Sequence, residues 1–179
     1  MSSRDKIEDL ILKVKKLRAE SAPDQEIAEL IARAVHSGPS AIDANGVPYI
    51  QHPRRVSNIV AALFHEHSKL EADAYSTAWL HDVIEDSERH FGEQVTRDDL
   101  LVMGFSQEVV IAVGLLSKEE NYVEDEYLDR IAENEIARIV KFADLADNTS
   151  PVRRSGLTEK LRNRYTRSWT RLLQEGKGE

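Results

Sequence analysis

The sequence predicts an all-α protein, on three observations. Nearly every segment carries apolar residues at helical period, no stretch alternates convincingly as a strand would, and glycine, proline and cap-forming residues divide the periodic runs. Ile7, Leu10, Ile11, Val14 and Leu17 mark a first amphipathic helix. Ser21-Ala22-Pro23 punctuates, and Pro23-Asp24 opens a second helix with Ile27, Leu30, Ile31, Ala34 and Val35 inward. Gly38-Pro39-Ser40 ends it and starts a loop to about Tyr49, with Asn45-Gly46 as a turn signal. Pro53 suits the first turn of a third helix carrying Val56, Ile59, Val60 and Leu63. A fourth is expected from about Glu71 to Ile84, ending in the acidic run Glu85-Asp86-Ser87-Glu88. Thr96, with Asp98 and Asp99 behind it, reads as the cap of a short helix. Gly104 breaks that helix, and Ser106 caps the next, which carries Val109, Val110, Val113 and Leu116. Two further helices are expected, over about Glu133 to Asp147 and about Thr158 to Gln174.

A chain of 179 residues with no internal repeat or linker-like tract reads as one domain, long enough to bury a core without staples. With 41% hydrophobic and 31% charged residues, it has the composition of a globular protein. No run approaches the roughly 18 consecutive apolar residues of a membrane span, and Met1 to Lys6 lack the apolar stretch of a secretory signal. The absence of cysteine excludes disulfides and thiolate metal sites. Together these lead to the expectation of a cytoplasmic protein without a membrane partner. The net charge of −8 argues against a nucleic-acid polymer as partner. The charge is uneven, since eight Lys/Arg face three acids from Pro151 onward. A basic segment on an acidic body suits a small phosphorylated ligand, although any one of these cations reads equally as part of a solvated helix face. Homo-oligomerisation is left open.

Chemistry-bearing residues interrupt apolar segments at four places. His52 lies at a loop-to-helix junction ahead of Pro53; a lone histidine there is more often structural than a ligand. His81-Asp82 interrupts Trp79-Leu80 and Val83-Ile84, and a buried ionised Asp needs a partner or a cation. At helical spacing His81 pairs with Glu85 and Asp82 with Asp86, each four residues on. The alternative is a frayed helix C-terminus, where such acids would oppose the helix dipole. Asp144 sits in an apolar helix beside Ala143, with Lys141 one turn earlier as a candidate ion-pair partner. His36, among apolar neighbours near the end of the second helix, reads by default as a packing histidine or one that supports a ligand from behind. Two imidazoles and two carboxylates make a mixed N/O set suited to Mn, Fe, Ni or Zn. His65-Glu66-His67 lacks the His-Glu-x-x-His spacing of zinc peptidases and reads as a surface helix end.

The order His52, His81-Asp82, Asp144 resembles the HD phosphohydrolase superfamily. Ala34-Val35-His36, Gly46 to Pro53, His81 to Asp86, and Lys141 to Asp144 with Asn148 are more closely similar to the hydrolase domain of RelA/SpoT proteins, over about residues 25–150. The resemblance implies a single HD-domain helical bundle like a stand-alone small alarmone hydrolase. It implies one Mn²⁺ held by His52, His81, Asp82 and Asp144, and a catalytic acidic pair, Glu85 and Asp86, serving the attacking water. Tyr49 and Asn148 match nucleotide-contacting positions. The implied reaction removes the 3′-pyrophosphate of (p)ppGpp, giving GDP or GTP and pyrophosphate. Two departures bear on the base: Ile42-Asp43-Ala44-Asn45 stands where a basic pair is usual, and Leu145 replaces an arginine. Lys141 and the basic tail, with Arg153, Arg154, Arg162, Arg164 and Tyr165, are candidates for the missing substrate contacts. The alternatives are another small nucleotide, such as a 3′-phosphorylated dinucleotide cofactor, and a non-catalytic regulatory module on the same scaffold.

Overall fold

The computed structural model describes residues 4–64, 68–154 and 156–175, without the side chains of Arg154 and Glu175, and capping and burial divide these described residues into eleven helices. His65, Glu66 and His67 lie outside the described residues. The helices are α1 (Asp5–Ala19), α2 (Asp24–Val35), α3 (Gln51–Leu63), α4 (Lys69–Leu80), α5 (Val83–Phe91) and α6 (Arg97–Val102), followed by α7 (Gln107–Leu116), α8 (Glu124–Ala132), α9 (Glu135–Thr149), α10 (Pro151–Arg154) and α11 (Glu159–Glu175). Among the described residues the only β feature is an isolated bridge, Ile42 to Pro48, closing the loop that Gly46 turns at φ +76°. No helix among them is long and apolar enough to cross a membrane.

The starts follow side-chain chemistry. Thr96 and Asp99 form a reciprocal capping box on α6. Ser106 caps α7 and Asn134 caps α9, each accepting a bond from an amide three residues on. Two expectations are corrected. The helix read as running from Glu71 to Ile84 stops at Leu80, and α5 begins at Val83. Asp82, at φ −102° and ψ −1°, bends the chain there without leaving the right-handed region. Glu85 and Asp86 therefore occupy the first turn of a new helix, where the dipole favours them, and not a frayed C-terminus. The second correction is α8, which sequence reading passed over; Tyr127, Leu128, Ile131 and Ala132 bury one face of an otherwise acidic segment.

Two apolar clusters form the core. One gathers α1 and α2 with Trp79, Leu80, Val83 and residues of α6 and α7. The other gathers α3, α8 and α9 with Ala74, Ala78 and Leu172. Helix α4 serves both, and it packs against α2, α3, α7 and α9. Polar side chains at its C-terminal end therefore emerge where α3 and α9 meet it.

Candidate metal centre

Three packed helices bring four side chains to one point. His52 is the second residue of α3, directed inward by the turn in which its amide bonds to the Tyr49 carbonyl. His81 and Asp82 fill the bend between α4 and α5, and Asp144 lies in the middle of α9. His52 Nε2 stands 3.3 Å from His81 Nε2 and 3.2 Å from Asp144 Oδ1. Asp82 Oδ2 is 3.0 Å from His81 Nε2 and 3.5 Å from His52 Nε2. His52, His81 and Asp144 are all buried.

The far nitrogens fix the tautomers. His52 Nδ1 is 2.7 Å from Asp147 Oδ2, and His81 Nδ1 is 2.7 Å from the Ala78 carbonyl. Both partners only accept, so each Nδ1 carries the proton and each neutral ring offers its Nε2 lone pair to the shared point. Two lone pairs at 3.3 Å repel unless a proton or a cation lies between them. This donor set therefore fits a divalent ion, and a backing carboxylate such as Asp147 is the usual support for a metal-bound histidine. Without a cation the same geometry recruits a proton. Burial opposes charging His81, yet Asp82 and Asp144 outweigh it and raise the imidazole to about 9.

Fixed charges surround the donors. Lys141 Nζ donates to Asp144 Oδ2 at 2.9 Å, and Asn148 Nδ2 donates to Asp144 Oδ1 at 2.5 Å. Burial alone would push the Asp144 carboxyl up; Lys141 and the two histidines hold it well below the usual range. Asp82 is held low in the same way, against burial, by His81, His52 and the Tyr49 hydroxyl, which donates to Oδ2 at 2.7 Å. Asp147 accepts from Arg55 through both oxygens, and Arg153 Nη1 lies 3.5 Å from it. Asp147 and Arg55 escaped sequence reading; the only signal was Asp147 one turn beyond Asp144.

The acidic pair divides in two. Glu85 is exposed, and its Oε2 accepts from the Lys118 amide at 3.2 Å and from Lys118 Nζ at 3.3 Å. Asp86 is half-buried; burial first, then the charges of Asp82 and Glu85, raise its carboxyl to about 7. Of the substrate candidates, Tyr49, Asn148 and Lys141 border the four donors, with Lys141 buried and bonded to Asp144. Half-buried Tyr165 feels Asp144 and Arg153, and its phenol is raised by burial and by Asp144. Arg162 instead donates to the Leu157 carbonyl on the exposed side of α11, and Arg164 pairs with Glu124.

An all-α bundle with His, His-Asp and Asp on three mutually packed helices is the HD-domain fold. Among solved structures the chain is similar to a metazoan ortholog of SpoT that hydrolyzes ppGpp and plays a role in starvation responses. The two share 21% identity over 87% of this chain and 86% of that one, with a TM-score of 0.65. No protein-family model matches the sequence, and no curated protein matches it.

Proposed function

We propose that this protein is a metal-dependent phosphohydrolase that removes the 3′-pyrophosphate of (p)ppGpp, releasing GDP or GTP and pyrophosphate. The observation that carries the reading is the convergence of two Nε2 lone pairs and two carboxylates, with each far imidazole nitrogen tied to an acceptor. The hydrolytic activity of the structurally similar SpoT ortholog supports the choice of substrate. His52, His81, Asp82 and Asp144 would hold one divalent ion, with Mn²⁺ the first choice and Fe, Ni or Zn compatible with the same donors. Such an ion lowers the pKa of bound water and polarises a phosphoryl oxygen.

The chain's own groups divide the remaining work. Glu85, anchored by Lys118, takes a proton from the attacking water, and Asp86 beside it holds the water by its carboxylate. The water oxygen bonds to the phosphorus attached to O3′, the P–O3′ bond breaks, and the proton passes to the leaving 3′ oxygen. Lys141 and Asn148 orient Asp144, and Arg55 with Asp147 orients His52. Tyr49 and Asn148 line the nucleotide, while Arg153 and Tyr165, at the same end of α9, face its phosphates. The unit in view is one cytoplasmic domain, with its motif core at about 25–150 and a basic helix at 157–175, acting on a small nucleotide and not a nucleic-acid polymer.

A second reading keeps the chemistry and changes the nucleotide, for instance to a 3′-phosphorylated dinucleotide cofactor. It is favoured by the loop before Gly46, which has no basic pair. Asp43 Oδ1 accepts from the amides of Asn45 at 2.8 Å and Val47 at 3.0 Å, so this acid holds the turn of the loop itself. The test is hydrolysis of ppGpp by the purified chain with Mn²⁺, following GDP and pyrophosphate. Turnover that His81→Ala/Asp82→Ala abolishes supports the first reading. Turnover only on other 3′-phosphorylated nucleotides transfers the case to the second. No turnover on either, with metal bound, leaves a non-catalytic module.

A further inference from the structure

A second group of imidazole and carboxylate side chains lies between α2 and α5. Asp86 and His90 are one turn apart on α5 and so share a face, and His36 closes the end of α2 opposite them. His36 Nδ1 stands 3.3 Å from His90 Nδ1, which is 3.9 Å from Asp86 Oδ2, and one donor atom from each residue falls within 4.8 Å of the others. Gly38 lets the two helix ends meet this closely: a Cβ there would lie 2.8 Å from the His90 carbonyl oxygen.

Both imidazoles are shut away from solvent. His36 is 1% exposed, and the His90 side chain is 3% exposed. His36 Nε2 has no hydrogen-bond partner, so the polar contact of this ring with the protein runs through Nδ1, toward His90. Ring packing alone does not call for imidazoles here. The His36, Tyr49 and His90 rings meet at 5.0 to 5.5 Å, contacts that phenylalanines would make without burying a nitrogen. One proton between the facing Nδ1 atoms leaves the Asp86 carboxylate out, whereas a cation accepts both lone pairs and that carboxylate together.

We propose that His36, Asp86 and His90 form a second divalent-cation site. Two imidazoles and one carboxylate suit a borderline transition ion such as Zn²⁺, Mn²⁺ or Fe²⁺, with the remaining positions open to water or a phosphate oxygen. The Tyr49 ring, 5.6 Å from His52 and 5.5 Å from His90 between centroids, separates this site from the first by one side chain. With the second ion bound, Asp86 serves as its ligand, and holding the attacking water passes to Glu85, which also takes its proton. The four donors of the first set are not used, so the two sites stand or fall separately.

The test is a metal count on the whole chain, stripped with chelator and titrated with Mn²⁺ and separately with Zn²⁺. Bound ions are measured after desalting, and folding is checked by circular dichroism. Two ions per wild-type chain are expected, falling to one in His90→Asn, in His36→Gln, and in His81→Ala/Asp82→Ala. Co²⁺ should give two sets of visible bands, one of them lost in each variant. A single wild-type ion that disappears in His81→Ala/Asp82→Ala overturns the proposal, as do two ions retained in folded His90→Asn and His36→Gln. A single ion that survives His81→Ala/Asp82→Ala and is lost in His90→Asn upholds this site and removes the first one instead.

Discussion

The two histidine pairs differ in how the fold holds them. His52 and His81 each spend one nitrogen on a fixed acceptor, Asp147 or the Ala78 carbonyl, and are aimed by it. His36 and His90 face each other with no such backing, and His36 Nε2 bonds to nothing. The first pair is built into helices that pack along their lengths, α3, α4 and α9; the second joins a helix end to a short helix. Backing partners fix tautomer and direction before an ion arrives, so the first pair should bind tightly and the second more weakly.

The largest test of that contrast is Asp144→Ala. It removes a donor and leaves Lys141 buried without its carboxylate, at a cost of about 3–5 kcal/mol. Metal at the first cluster and hydrolysis should vanish together, and elemental analysis beside a turnover assay reads both; undiminished metal and rate would defeat the assignment. Glu85→Gln belongs to neither cluster and should keep the metal while kcat falls by about 10²–10⁴. An unchanged rate would remove Glu85 from the chemistry.

Asp147→Asn sharpens the comparison, because it loosens the support behind one histidine without touching a donor. Metal affinity at the first cluster should fall by about 10–100-fold, with binding at His36 and His90 unmoved. Calorimetric titration measures this, and equal loss at both would mean that the variant acts through folding.

The smallest effect is a pair of opposed pH limbs in the metal-free protein. Burial holds His36 down at about 4 against an ordinary 6.5, so the unfolded chain binds the extra proton and stability declines as pH falls from 6.5 toward 4. His81 goes the other way: against burial, Asp82 and Asp144 raise it to about 9. Its contribution is complete below 6.5 and is lost as pH rises through 9. Asp86, raised to about 7, works in the opposite sense over the same acid range. The His36 limb is therefore read as the difference between wild type and His36→Gln. Melting temperature should fall as pH rises through 9 in both, and the variant should lose less stability than wild type as pH falls from 6.5 toward 4. An acid dependence identical in wild type and variant would refute the assignment.

The all-helical fold and the four side chains that converge on one point were legible because polar residues in apolar helical runs stand out by type and spacing. Other features were not. The bend at His81-Asp82 keeps right-handed dihedrals, so the pattern reads as one continuous helix and places Glu85 and Asp86 at the wrong end of a dipole. Helix α8 hides its apolar face among Glu124, Asp125, Glu126 and Asp129. Asp147 gains its role only from the way α9 is rotated against α3, and His36 meets His90 only because Gly38 allows the close approach. Each of these depends on contacts distant in sequence, which local periodicity does not encode.

The bend between α4 and α5 also fixes chain length at this point. The Asp86 amide bonds to the Asp82 carbonyl at 2.9 Å, so His81-Asp82 and the acids that follow turn as one rigid screw. One residue inserted between Asp82 and Glu85 would rotate everything downstream by about 100°. Glu85 would swing away from Lys118, and Asp86 and His90 would leave His36, while His52, His81, Asp82 and Asp144 stayed in place. Between these positions the protein tolerates a change of side chain far better than a change of phase.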